Sequence, residues 1–139
     1  MNAVQPLLTV TNLTKNFTIA KKSMFRERVE LQAVNNVSFH INPGETLGLV
    51  GESGCGKTTI GRTIVRLYKP TSGEILFRSG TECIDISGFS SAQLKPVRRQ
   101  MQIIYQDPHS SLNPRMTVGN LVGEPLLVHG IGSRSERND

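Results

Sequence analysis

The sequence predicts an α/β chain: a β-rich N-terminal half that leads into a strand–turn–helix unit suited to holding phosphate, with shorter elements behind it. Three observations carry this reading. β-Branched residues alternate in part through 7–13, and apolar residues alternate after Asn36 within 29–42, the period of half-buried strands. A short apolar run, "TLGLV" at 46–50, passes directly into a glycine-rich turn, "GESGCGKTT". Beyond the turn, Ile60, Ile64, Val65 and Tyr68 recur at helical spacing, as one face of an amphipathic helix does.

The elements follow in order. "LLTVTNL" (7–13) and "NFTIA" (16–20) read as strands, and the charged "KKSMFRER" after them as an exposed loop or hairpin end. In "VELQAVNNVSFHIN" (29–42), Val37, Phe39 and Ile41 fall on one face. Pro43 and Gly44 punctuate a turn, and 46–50 is expected to be a buried strand of the parallel-sheet kind. The helix after the glycine turn is expected to run until "PTSG" (70–73) stops it, and "EILF" (74–77) starts a strand. "SGTECIDISGFS" is turn-rich, "SSAQLKPVRRQ" (90–100) a brief helix interrupted by Pro96, and "MQIIY" (101–105) an apolar strand. "DPHSSLNPR" (107–115) is a loop by composition. In 117–130 a helix is expected, with Thr117 as its N-cap and Val118, Leu121, Val122 and Leu126 on one face. The polar tail, "GSRSERND", is expected to fray.

With 139 residues, 37% of them hydrophobic, the chain has the size of one ordinary domain. No apolar run approaches the length of a membrane span, and the first residues lack the basic start and long apolar segment of a secretory leader. The expected compartment is the cytoplasm. Cys55 lies in the glycine turn and Cys83 in a strand region, and in that reducing compartment no disulfide is expected between them. The net charge is +5, but the cations are scattered and aromatics make up only 5%. That composition suits a solvated surface better than a nucleic-acid face, and no nucleic-acid partner is expected; attraction to anionic headgroups or to ATP stays open.

The turn matches G-x-x-x-x-G-K-[ST] at every fixed position, from Gly51 through Glu52, Ser53, Gly54, Cys55, Gly56 and Lys57 to Thr58. The chemistry explains the spacing. Glycines let the backbone turn tightly and aim successive N–H groups at a β-phosphate. The following helix, starting through Thr58 and Thr59, points its positive end at the same anion. Lys57 adds a mobile charge for the β- and γ-phosphates, and the Thr58 hydroxyl is an oxygen ligand for Mg²⁺. Candidate phosphate-binding residues are therefore 51–59.

The cradle leaves the enzyme class open, because kinases, GTPases and transport ATPases share it. Hydrolysis also needs a carboxylate at the end of a second apolar strand. Asp107, the local candidate, stands two residues beyond "MQIIY" and before Pro108, and reads as a loop residue.

Beyond the cradle the sequence resembles the ATP-binding subunits of ABC transporters. The residues that carry this are Phe17 in "NLTKNF", the "GESGCGKTT" turn itself, "PTSGEILF", and "IIYQDPHSSLNPRMTV". The last of these, with "EPL" and the charged "AKKSMFRERVELQAV", is similar to the oligopeptide/dipeptide group of peptide and nickel importers. The resemblance spans roughly residues 7 to 130. It implies a P-loop nucleotide-binding domain of ABC type, with an N-terminal antiparallel β subdomain and the start of a parallel-sheet core. Within it, 7–50 would be the β-rich part and cradle strand, 51–69 the P-loop and helix, 70–116 strands and glutamine loop, and 117–130 the start of a helical subdomain. It implies ATP and Mg²⁺ as cofactors, Phe17 as the aromatic that stacks on adenine, and Gln106 as the glutamine that touches Mg²⁺ and the attacking water. Read alone, Phe17 also suits a core aromatic and Gln106 an ordinary strand-end residue.

The resemblance further implies partners and place: transmembrane permease subunits, a second ATP-binding subunit of the same or a different kind, and a peripheral position on the cytoplasmic face of the cell membrane. The sequence contains no "LSGGQ"-like signature, no apolar strand ending in Asp-Glu and no histidine in the switch context; His40, His109 and His129 stand elsewhere. In the family these parts lie downstream, so the chain is expected to be the N-terminal part of a longer subunit, marginally folded and without ATPase activity by itself. Two other readings stand beside this one: a small P-loop phosphotransferase, and an adaptor that docks on membrane subunits without turning over ATP.

Overall fold

The first two strands, β1 (Leu8–Ile19) and β2 (Val29–Ile41), pair as an antiparallel ribbon that bulges at two asparagines. The computed structural model describes residues 5–19, 29–107 and 112–137. The expected hairpin end at 21–28 lies outside the described residues. The register slips at 11–12 of β1, at 35–36 of β2 and again at Ala33 of β2, and Asn12 and Asn36 each adopt φ 51°. Asparagine tolerates this left-handed conformation better than most residues. Side chains hold the two asparagine bulges: the Asn12 N–H donates to Ser38 Oγ at 2.8 Å, and the Asn36 N–H to Thr14 Oγ1 at 3.2 Å. The two strands expected at 7–13 and 16–20 are thus one continuous element.

Two more strands complete the sheet. β3 (Ser72–Ser79) pairs with β1, and β4 (Glu82–Asp85) folds back on β3 through a two-residue turn at Gly80 and Thr81, giving the order β2-β1-β3-β4, antiparallel throughout. Cys83 sits in β4, as expected. Leu8, Val10 and Leu13 of β1 meet Ile75 and Phe77 of β3 in a buried set that also takes in Val34, Ile86, Leu94 and Val97. Helix α1 (Lys57–Ile64) adds Ile60 and Ile64 to it. Helix α2 (Ser91–Val97) starts with a capping box, in which Gln93 N–H donates to Ser90 Oγ and the Gln93 side chain accepts from the Ser90 N–H. Pro96 does not interrupt α2. It lies in the final turn, and the helix ends one residue later.

Three expectations about this part are corrected. Residues 46–50 form no strand, and Leu47, Leu49 and Val50 are exposed, Val50 at 98%. A parallel strand takes its backbone partners from neighbours on the sheet, and no described strand pairs with 46–50. The helix after the glycine turn stops at Ile64 rather than at 70–73, because Arg66 turns into the left-handed region at φ 57°. The "SGTECIDISGFS" segment contains a regular strand, β4.

The chain divides into two compact units, one ending at Gln100 and the other starting at Met101. In the second, 101–105 is not a strand, and Ile104 is 97% exposed; as at 46–50, no described strand offers it a ladder. Helix α3 (Val118–His129) matches expectation closely. Thr117 Oγ1 accepts from the Asn120 N–H, and Gly130 at φ 67° ends the helix, with Ile131 N–H bonded to Leu126 O and Gly130 N–H to Leu127 O. No residue of α3 is buried. The tail differs from expectation, since a turn at 134–137 is held by Ser133 N–H on Glu136 Oε2 at 2.7 Å. No described helix is long and apolar enough to cross a membrane.

Candidate functional site

The glycine turn forms a loop over α1. Gly54 and Gly56 take φ of 82° and 100°, and Gly56 is the N-cap of α1 with no side-chain acceptor on the helix. The first N–H groups of a helix have no partner within it, so this end of α1 offers donors and the positive end of its dipole together. No acidic residue stands in the first turn, and Arg62 is in the last. Residues 51–55 and Thr58 are exposed, while Gly56, Lys57 and Thr59 are half-buried.

Two close approaches shape the loop. A Cβ on Gly51 would meet Cys55 Sγ at 2.8 Å, and one on Gly56 would run into the Ala33 carbonyl oxygen. The Gly56 contact sets the cradle against β2. The Lys57 ammonium turns inward, donating to Gly51 O and to Glu52 O at 2.6 Å each, with Cys55 Sγ 3.5 Å away. The cradle is therefore positioned by α1 and by β2, not by the strand expected before it.

Phe17 stands in β1, half-buried, opposite Leu31 of β2. It is neither enclosed in the core nor bare. Its ring meets Tyr68 in a T-shaped pair, with centroids 5.3 Å apart and planes at 88°, and the Lys15 ammonium lies 4.8 Å from its centroid. Gly56 touches Ala33, one residue from the Gln32–Asn16 pair that adjoins Phe17. The ladder thus brings Phe17 and the cradle onto one ribbon. Gln106 and Asp107 belong to the second unit and are exposed there. His40 is exposed in β2 and His129 half-buried in α3; His109 lies outside the described residues.

The reading of the sequence missed Arg66. The residue is 6% exposed, and its guanidinium donates from Nε to Ile86 O at 2.8 Å, from Nη2 to Phe89 O at 3.0 Å and from Nη1 to Tyr68 O at 3.3 Å. Burial lowers its pKa, as does neighbouring Arg98, against the pull of Asp85. Arg66 pins the turn after α1 to the segment that leads into α2. No periodic signal marks it, because it sits in a left-handed residue between elements.

The donor set bears on what the cradle can hold. Among the described residues no three His, Cys, Asp or Glu side chains gather as a metal site. A Mg²⁺ that keeps waters and takes substrate phosphate oxygens needs only one or two protein ligands, and the exposed Thr58 hydroxyl at the head of α1 suits that role. The N–H groups that the helix itself leaves unpartnered at the head of α1, with the positive end of its dipole, suit a phosphate.

Comparison with known proteins follows the same line. Residues 34–138 match the family model described as ABC transporter. The oligopeptide transport ATP-binding protein AppF of Bacillus subtilis is 45% identical over 137 residues, covering 97% of this chain and 40% of that protein. A putative peptide import ATP-binding protein of Brucella ovis is 45% identical over 132 residues, covering 95% of this chain and 38% of the relative. The glutathione import ATP-binding protein GsiA of Salmonella paratyphi A is 45% identical over 128 residues, 92% of this chain and 20% of the relative. Among solved structures, a dimeric ATP-binding cassette in a post-hydrolysis state bound to ADP and Pi superposes with TM-score 0.70 at 28% identity, over 94% of this chain and 52% of that one. The chain thus spans about 40% of the length of the first two relatives.

Proposed function

The chain belongs to the ABC transporter family, and from that premise we propose that it binds ATP with Mg²⁺ as part of the energy-coupling subunit of a peptide importer. The observation that carries the reading is the cradle at 51–59, which opens α1 through an uncapped glycine and holds a lysine at its centre. The names of the 45%-identical relatives, which speak of oligopeptide, peptide and glutathione import, supply the transport class.

In this reading the N–H groups at the head of α1 bind the phosphates, and Lys57 exchanges its loop carbonyls for phosphate oxygens. Thr58 would hold Mg²⁺ through its hydroxyl, and the ion would supply charge neutralisation for the phosphates. Phe17 stacks on the base, and Gln106 contributes to the water and metal once the site is complete. Residues 7–50 form the β-rich part and lead-in, 51–69 the P-loop and helix, 70–116 the strands and glutamine loop, and 117–130 the start of a helical subdomain. The partners are permease subunits and a second ATP-binding subunit, at the cytoplasmic face of the membrane.

The sequence carries no signature loop, no strand-end Asp-Glu and no switch histidine, and catalysis of this kind is mostly positioning plus electrostatics. Binding without turnover is the expected behaviour of these 139 residues. The test pairs ATP binding, with and without Mg²⁺, with phosphate release. Binding strengthened by Mg²⁺ and release no faster than in Lys57→Ala supports the proposal. Turnover at about 1 s⁻¹ or faster would favour the small phosphotransferase instead.

A further inference from the structure

Phe17 and Tyr68 form the only T-shaped ring pair among the described residues, and both rings are half-buried. Neither ring belongs to the buried set of the sheet, which is Leu8, Val10, Leu13, Val34, Ile75 and Phe77. Tyr68 is fixed to the end of α1 twice. Its N–H donates to Arg62 O and its hydroxyl accepts from Arg62 Nη1, both at 3.1 Å. The Arg62 guanidinium also lies 5.9 Å from the Tyr68 ring centroid.

The strand side is tied just as closely. Thr71, three residues beyond Tyr68, accepts from the Asn16 N–H through Oγ1 at 2.9 Å and donates its own N–H to Thr14 O at 2.9 Å. Tyr68 and Phe17 are thereby held in one register. A continuous line runs from Lys57 along α1 to Arg62, through Tyr68, to the Phe17 ring. The other neighbour of that ring, the Lys15 ammonium, is a point charge on a flexible stem that an incoming flat ligand can displace.

We propose that Tyr68, anchored by Arg62, is a positioning residue that sets the Phe17 ring at a fixed place relative to the phosphate cradle, so that a nucleoside triphosphate is preferred over bare inorganic triphosphate. This rests on the reading of Phe17 as the base platform and extends it to residues outside the cradle. An edge-to-face aromatic contact contributes enough that its loss shows as about a threefold to tenfold change in affinity.

The experiment is calorimetric titration of the whole chain with MgATP and with magnesium tripolyphosphate. Tyr68→Leu is expected to weaken ATP about threefold to tenfold and leave tripolyphosphate unchanged. The double variant Phe17→Ala/Tyr68→Leu is expected to bind ATP no more weakly than Phe17→Ala, because the two rings act as a unit. Tyr68→Phe keeps the ring and removes only the bond from Arg62 Nη1 to its hydroxyl, so about a twofold loss confined to ATP is expected, which serves if the leucine variant does not fold. Equal weakening of both ligands, an unchanged ATP affinity, or additive losses in the double variant would overturn the proposal. If Phe17→Ala itself leaves the ratio of the two affinities unchanged, it is the base-platform reading that fails; if Phe17→Ala lowers the ratio and Tyr68→Leu does not, only the bracing role fails.

Discussion

The Lys57 ammonium donates to the carbonyl oxygen of Gly51 at 2.6 Å, so the last fixed lysine of the cradle closes on its first glycine. A second bond of the same length reaches Glu52 O. The loop is thus wrapped around a cation. In the proposed role the charge is already at the centre of the loop, and phosphate binding would exchange two carbonyl partners for phosphate oxygens, a charge-assisted and stronger pairing.

Gly56 is the position where the loop tolerates least change. Its φ of 100° and its approach to the Ala33 carbonyl leave no room for a side chain. Gly56→Ala is expected to destabilise the fold by about 1–3 kcal/mol and to weaken ATP binding. Gly54→Ala has open space around it and bears only the backbone strain of its φ of 82°, so its melting temperature should fall less. Thermal melts of the two variants side by side check this; an equal fall would mean that the Ala33 contact is not what constrains Gly56.

Arg66 holds three carbonyls, those of Ile86, Phe89 and Tyr68. Arg66→Met leaves them without that donor, and a loss of about 2–4 kcal/mol is expected. Arg66→Lys should recover only part, since an ammonium cannot reproduce the planar fork. Urea denaturation gives both numbers, and a stability within about 0.5 kcal/mol of wild type for Arg66→Met would contradict the pin.

Asp85 gives a pH signature. Burial raises its carboxyl pKa, but hydrogen bonds from Ser87 N–H, Ser87 Oγ and Ile75 N–H, with Arg66 nearby, outweigh this and hold it below the ordinary carboxylate value. A group whose folded pKa is depressed contributes stability that is present above its unfolded pKa and is lost as the pH falls through the folded value. Stability should therefore decline as the pH drops below about 4, and Asp85→Asn should flatten that part of the profile. An identical acid profile in the variant would contradict it.

Much of this was legible in the sequence, and the exceptions share a cause. The cradle, the N-cap at Thr117 and the strands with clear alternation, such as Val37, Phe39 and Ile41, announce themselves through local chemistry. The buried-strand reading of 46–50 and 101–105 rested on apolar composition alone. Whether such a run forms a strand depends on distant backbone partners that no local pattern reports. Arg66 and Tyr68 were hidden for a related reason, since their roles come from carbonyls and a ring many residues away, and their own segment, "RLYKPTSG", reads only as the end of a helix. Phe17 was recognisable through resemblance, whereas its pairing with Tyr68 needed the coordinates.

The central claim is that residues 51–59 hold nucleotide phosphate through Lys57 and the head of α1. Titration of MgATP into wild type and Lys57→Ala tests it most directly. The expected result is a loss of about 1.5–3 kcal/mol, roughly tenfold to more than a hundredfold in Kd, with the melting temperature of the free chain little changed. Equal affinity in the two proteins would contradict the assignment of the cradle.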